Sequence, residues 1–172
     1  MNEPREFRQP VAWRGDRPAP ARRARRAVLC SLAALGATLL VPRAAIATAA
    51  SRIEVWKSPT CGCCTGWVEH LQAAGFAVVV HDVGNAAARK RLGMPAQFGS
   101  CHTAAVGGYA IEGHVPAPDI VRLLEERPQA LGLAVPGMPV GSPGMEMGDQ
   151  RDPYDVLLVQ RDGSSRVWRS VR

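Results

Sequence analysis

From residue 53 onward the apolar positions change period several times, and each change marks an element. Ile53-Glu54-Val55-Trp56 alternates apolar and polar in the manner of a half-buried strand. Val68, Leu71 and Ala74 then recur at helical spacing, with Gly75 placed to close the helix. Residues 76–81 are β-branched and nearly continuous, which predicts a strand buried on both faces and so a parallel βαβ start. Asn85 can cap a short helix over 86–92, which Gly93 and Met94-Pro95 bring to an end. Gly107-Gly108 separates Ala104-Ala105-Val106 from residues 109–112 and predicts a tight hairpin. Pro118 fits the first turn of a last helix whose Ile120, Leu123 and Leu124 face the core, with Pro128 as the breaker. Residues 131–150, rich in Gly, Pro and Met, read as a long loop. Residues 155–160 and 166–171, joined around Asp162-Gly163, read as a closing hairpin that can extend the sheet. The expected fold class is α/β, more closely an α+β mixed sheet: four strands with helices on both faces, followed by the C-terminal hairpin.

Charge divides the chain. The 172 residues carry a formal charge of +6, but residues 1–50 hold nine Arg against three acidic residues. Twelve of the 21 basic and twelve of the 15 acidic residues remain beyond residue 50, a formal balance of zero. No polybasic footprint is left on the domain over 51–172, so nucleic acid is not an expected partner. Residues 1–50 read instead as a signal peptide and leader. Arg22-Arg23-Ala24-Arg25-Arg26 is a charged start, 27–41 is an apolar run, and Ala45-Ile46-Ala47 or Ala47-Thr48-Ala49 offers a small-x-small cleavage site. The run is shorter than the roughly twenty residues of a membrane span, so no stable span is expected after leader removal. Export by the general or the twin-arginine route, and a periplasmic location, follow as expectations. Cys30 leaves with the leader.

Four cysteines remain: Cys61, Cys63 and Cys64 in one strand-to-helix loop, and Cys101 ahead of the predicted third strand. A thiol at a helix N-terminus feels the positive end of the backbone dipole, which favours the thiolate that binds metal and attacks disulfides. In an oxidising compartment an even set of cysteines is usually converted to disulfides. Here the spacing resists pairing, because Cys63 and Cys64 are adjacent and a Cys61–Cys63 bridge closes a very small ring. Metal occupancy, or a partner that reduces the thiols, would keep them free.

The order strand, cysteine loop, helix, strand, helix, hairpin, helix is that of the thioredoxin-like fold. Cys101-His102-Thr103 stands where thioredoxins carry the proline segment opposite their cysteine pair. Within that layout the chain resembles the exported copper-resistance family of CopG type. The resemblance rests on Lys57-Ser58-Pro59-Thr60-Cys61-Gly62-Cys63-Cys64, Cys101-His102-Thr103, Gly107-Gly108-Tyr109, Glu112-Gly113-His114-Val115-Pro116 and Gly137-Met138-Pro139-Val140-Gly141-Ser142-Pro143-Gly144-Met145-Glu146. It implies a periplasmic thioredoxin-like domain that binds copper ions through cysteines.

Two chemistries stay open on these residues. Cys61 and Cys64 have the Cys-x-x-Cys spacing of a thiol-disulfide or copper-redox oxidoreductase. Cys63 offers a competing resolving thiol, and His102 replaces the proline such enzymes use. Four thiolates from two loops instead fit a soft-metal site for Cu(I), with zinc less favoured; adjacent cysteines suit thiolates that bridge several ions in a multinuclear cluster. His102 is a further ligand or a packing residue, and His114 a weaker candidate. Met138, Met145 and Met147 are candidate thioether ligands, while Met94, Trp56 and Trp67 are expected in the core and His70 and His81 in structural or exposed places. A periplasmic copper-handling or thiol-reducing protein is the implied macromolecular partner.

Overall fold

The computed structural model describes residues 51–172; the leader, its cleavage site and Cys30 lie outside the described residues. One mixed sheet of seven strands runs in the order β2-β1-β3-β4-β5-β6-β7. In the chain the elements are β1 (Arg52–Lys57), α1 (Gly62–Ala73), β2 (Ala77–His81), α2 (Ala86–Arg91), a 3-10 turn (Ala96–Phe98), β3 (His102–Val106), β4 (Tyr109–Glu112), α3 (Ala117–Glu126), β5 (Gly132–Ala134), β6 (Tyr154–Val159) and β7 (Ser165–Val171). β1 pairs parallel with β2 and antiparallel with β3. The β3–β4 hairpin turns on Gly107 and Gly108, both at positive φ (56° and 88°), as its Gly-Gly sequence demands. β6 and β7 continue the sheet as an antiparallel pair, as the sequence pattern predicts.

The period-two pattern sorts the sheet's two faces. Ile53, Val55, Ile111, Leu133 and Leu158 face one way, with Trp67, Val68 and Leu71 of α1 and Ile120 and Leu123 of α3 packed on them in the main core. Ala110, Ala134 and Val159 face the other way, against Met94 and Phe98 from the segment after α2. Helical cover on both faces is therefore observed, and Met94 packs in the core as expected.

Four sequence expectations need correction. Gly132–Ala134 is a strand, not loop: Gly132 lies so close to the Ala110 backbone that a Cβ there would overlap it, and the residue read as loop-forming is a close-packing device. Residues 76–81 do not form a doubly buried strand, because β2 is the sheet edge; Val80 is 37% exposed. Its β-branched residues fit a pleated, half-buried surface, a pattern that an edge strand and a central strand share. Ala74, at the end of α1, is exposed rather than in the core. Trp56 is half-buried outside the core, stacked on His81 at 5.0 Å and covered by Arg91, whereas Trp67 is fully buried as expected.

Candidate metal and thiol centre

β1 delivers the chain to the cysteine loop and β3 begins beside it, so α1 and the 99–101 segment meet at one end of the sheet. Cys61 is the N-cap of α1, and Cys63 and Cys64 lie in its first turn with no acidic side chain among them. Cys101 precedes β3, whose first residue, His102, is in register with Lys57 of β1. Cys63 Sγ lies 3.4 Å from Cys61 Sγ and 3.9 Å from Cys101 Sγ. Cys101 Sγ also lies 3.3 Å from His102 Nδ1 and 3.1 Å from His114 Nε2. Among the described residues, the ligand atoms of Cys61, Cys63, Cys64 and Cys101 all fall within 4.8 Å of one another, as do those of Cys101, His102 and His114. Cys101 belongs to both groups and joins them.

The loop is oxidised. Cys61 and Cys64 form a disulfide, while Cys63 and Cys101 are free thiols. The expectation that the spacing resists pairing considered the adjacent and one-apart cysteines; the pair that forms spans the Cys-x-x-Cys interval, with its Cα atoms 5.4 Å apart across the first helical turn. In this state two of the four sulfurs are not available as thiolates. The remaining donors are two thiols and two imidazoles.

Burial tunes those donors. Desolvation, reinforced by the neighbouring Cys63 thiol, pushes the Cys101 thiol up to about 12. Desolvation, with His114 and Lys57 adding to it, lowers His102 to about 3. His114 is also lowered by burial, although the Pro143 carbonyl and Glu146 oppose that. Both imidazoles are thus neutral, the form that ligates metal. His102 is wedged against Trp67, ring centroids 4.2 Å apart, and Trp67 Nε1 donates to the Val115 carbonyl at 2.8 Å. Among the described residues His102 Nε2 is buried without a hydrogen-bond partner, while its Nδ1 faces the Cys101 sulfur at 3.3 Å.

The 137–146 segment closes the site through its backbone. Gly144, at φ +83°, packs on Gly66 and on the Cys63 carbonyl, where any side chain would collide with α1. That contact holds the Pro143 carbonyl 2.8 Å from His114 Nδ1. Met138 is 52% exposed and lines an open cavity of about 470 Å³ together with Cys101, Ser100, Gly137 and Arg89. Met145 is half-buried and Met147 is exposed, and neither lines that cavity. His70 is structural: its Nε2 accepts the Ala117 N–H at 3.0 Å where α3 begins. Sequence reasoning missed Glu112 and Arg89, which sit behind Cys101; the signal was an acidic residue closing the otherwise apolar strand Tyr109-Ala110-Ile111-Glu112.

Fold and site together define an α+β protein carrying a cysteine cluster able to bind metal. Two solved structures share most of that architecture. One, titled "Copper resistance protein copG- Form 2", is 47% identical at a TM-score of 0.67, covering 71% of this chain and 98% of its own. The other, titled "Copper resistance protein copG- Form 1", is 49% identical at a TM-score of 0.66, covering 70% of this chain and 96% of its own. A family model described as "Protein of unknown function, DUF411" matches residues 98–145, which span Cys101, His102, His114 and Met138. Among curated proteins no relative matches the sequence. The chain belongs to the CopG family of copper resistance proteins.

Proposed function

We propose that this is an exported, periplasmic copper-binding protein on a thioredoxin-like scaffold, which takes up Cu(I) for copper handling or detoxification. The observation that carries the reading is the convergence on Cys101: one sulfur lies within 3.9 Å of a second thiol and within 3.3 Å of two neutral imidazoles. Soft thiolates select Cu(I) over hard divalent ions. Copper is cargo here, and the donors fit it. Cys63, Cys101, His102 and His114 form the part of the set present in the oxidised protein. Reduction of Cys61–Cys64 adds two thiolates in the same loop and gives a four-sulfur set whose close spacing suits bridging of more than one ion. Met138 lines the cavity beside Cys101 and would supply a thioether at its mouth, whereas Met145 and Met147 do not line that cavity. Among the described residues no helix is long and apolar enough to cross a membrane.

Metal analysis of anaerobically purified protein, followed by Cu(I) titration against a competing chelator, tests the reading. Reduced protein should bind at least one equivalent of Cu(I) tightly and zinc more weakly. Reduced protein with four free thiols that takes up no Cu(I) would overturn it.

The disulfide favours a second reading, a thiol-disulfide oxidoreductase. An incoming thiolate would attack Cys61 Sγ, the more exposed sulfur, and release Cys64 as the thiolate. A second thiol of the reductant then completes the transfer of two electrons, leaving the reductant as a disulfide and Cys61 and Cys64 as thiols.

A further inference from the structure

Behind the sulfur cluster lies a buried acid that ligates nothing. Glu112, the last residue of β4, is fully buried. Its Oε1 accepts from Arg89 Nε at 2.9 Å, Arg89 Nη2 at 2.7 Å and the Ser100 N–H at 2.7 Å. Its Oε2 accepts from the Thr103 hydroxyl at 2.6 Å. Arg89 Nη2 also donates to the Ser100 carbonyl at 2.5 Å, and Asn85 Nδ2 donates to the same carbonyl at 3.1 Å. Asn85 precedes α2 but makes no cap bond with its side chain; the group is spent on Ser100 instead. Four donors satisfy a carboxyl group that would be costly to bury alone. The consequence falls on one residue, since both the N–H and the C=O of Ser100 are held and the Ser100–Cys101 peptide plane is fixed from behind.

We propose that the Glu112–Arg89 pair is the positioning device of the copper site. It sets the Cys101 backbone so that one sulfur reaches Cys63, His102 and His114 together. Neither residue touches a sulfur, so both act through the peptide. This inference rests on the copper reading above. The Asp119–Arg169 pair supplies the internal comparison: Asp119 is buried and holds Arg169 Nε at 2.8 and 3.0 Å, but it ties α3 to β7 and bonds to nothing in the cluster.

The experiment uses the full chain carrying Glu112→Gln, Arg89→Lys, Asp119→Asn, or the double change Glu112→Leu with Arg89→Met. Three quantities are read: melting temperature, the alkylation rate of Cys101 relative to Cys63 in reduced metal-free protein, and Cu(I) affinity against a competing chelator. Glu112→Gln and Arg89→Lys should each weaken Cu(I) about 10-fold or more, the range for residues that orient metal ligands. Both should also shift the relative alkylation rate of Cys101 at least about threefold, because its exposure is reset. Asp119→Asn should lower the melting temperature and move neither of the other two. The double variant removes both charges together but leaves the Ser100 N–H and Thr103 hydroxyl without their acceptor, so it should recover part of the melting temperature and none of the copper affinity. Wild-type affinity and alkylation in the site variants would overturn the proposal, as would equal losses in Asp119→Asn. If the double variant does not fold, the single changes decide. If wild-type protein binds no Cu(I) while the alkylation shifts persist, the copper reading fails and the positioning of Cys101 stands.

Discussion

His114 presents Nε2 to Cys101 Sγ at 3.1 Å because its other nitrogen, Nδ1, is committed to the Pro143 carbonyl at 2.8 Å. A carbonyl can only accept, so Nδ1 carries the proton and Nε2 keeps its lone pair. That is the arrangement found where a backbone carbonyl fixes the tautomer of a metal-binding histidine. Replacing His114 by Gln should weaken Cu(I) binding about 10-fold, while His70→Gln, whose partner is the Ala117 N–H, should leave it within about twofold. Chelator competition on both reduced variants checks this.

Gly144, beside that carbonyl, and Gly62, at the start of α1, should respond to alanine in different ways. A Cβ on Gly144 would meet the Cys63 carbonyl and the Trp67 amide, and φ is +83°, so Gly144→Ala should destabilise by about 1–3 kcal/mol. Its histidine anchor should loosen as well. Gly62, the first residue of α1, has no atom within 4 Å of a built Cβ. Gly62→Ala should be neutral or stabilise by up to about 1 kcal/mol, since Ala favours the helix. Urea unfolding of the two variants measures both.

The cysteine loop was legible because strand alternation, three cysteines and helical spacing follow one another without a gap. Cys101, His102 and His114 were legible through the Cys-His-Thr and Glu-Gly-His-Val-Pro strings. What escaped were relations made by backbone. The Pro143 carbonyl has no residue-type signature, and Gly132 resembles any loop glycine until Ala110 is seen against it. Glu112 was quoted as part of a string but not understood, because its partners Arg89 and Ser100 lie 23 and 12 residues away. The disulfide was half legible: Cys61 and Cys64 stood out as the Cys-x-x-Cys pair of an exchange reaction, but the spacing argument against pairing weighed only the adjacent and one-apart cysteines.

Acid should weaken the metal-free protein. His102, His70 and His114 are all lowered from the ordinary value of 6.5, each mainly by burial, so the fold prefers them neutral. The unfolded chain takes up those protons near pH 6.5, hence their contribution is complete above that pH and is lost as pH falls toward the folded values. His102 alone, lowered to about 3, can remove up to ~1.4 kcal/mol per pH unit below 6.5. Cys101 acts at the other end. Raised from 9.0 to about 12, its contribution is complete below pH 9 and is lost as pH climbs toward 12. Urea midpoints that stay constant between pH 7.5 and 5 would contradict the histidine part. Because a buried thiol must release its proton to ligate, Cu(I) affinity should rise with pH across the same interval.

Leader removal is tested separately. The small-x-small pattern predicts a mature start between Thr48 and Ser51. Intact-mass measurement on a periplasmic extract should give a chain lacking Cys30. A cytoplasmic chain that keeps Met1 would remove the periplasmic part of the functional reading.

The copper reading and the disulfide-exchange reading draw on the same loop sulfurs, but only the copper reading uses Cys101. Its Sγ is free, 3.9 Å from Cys63 and flanked by both imidazoles, while the disulfide joins Cys61 to Cys64. Cys101→Ser should therefore lower Cu(I) stoichiometry or affinity by at least about 10-fold, since it removes the atom on which both donor groups converge. It should leave reduction of Cys61–Cys64 by a small dithiol within about threefold of wild type, because neither reacting sulfur is touched. Cys61→Ser should abolish the exchange, leaving Cys64 with no partner at Cys-x-x-Cys spacing, and should also cost copper affinity by removing one thiolate of the reduced set. If Cys101→Ser keeps full copper binding while the wild type turns over a disulfide substrate efficiently, the metal reading gives way to the oxidoreductase, and Cys101 becomes a thiol that packs beside the disulfide.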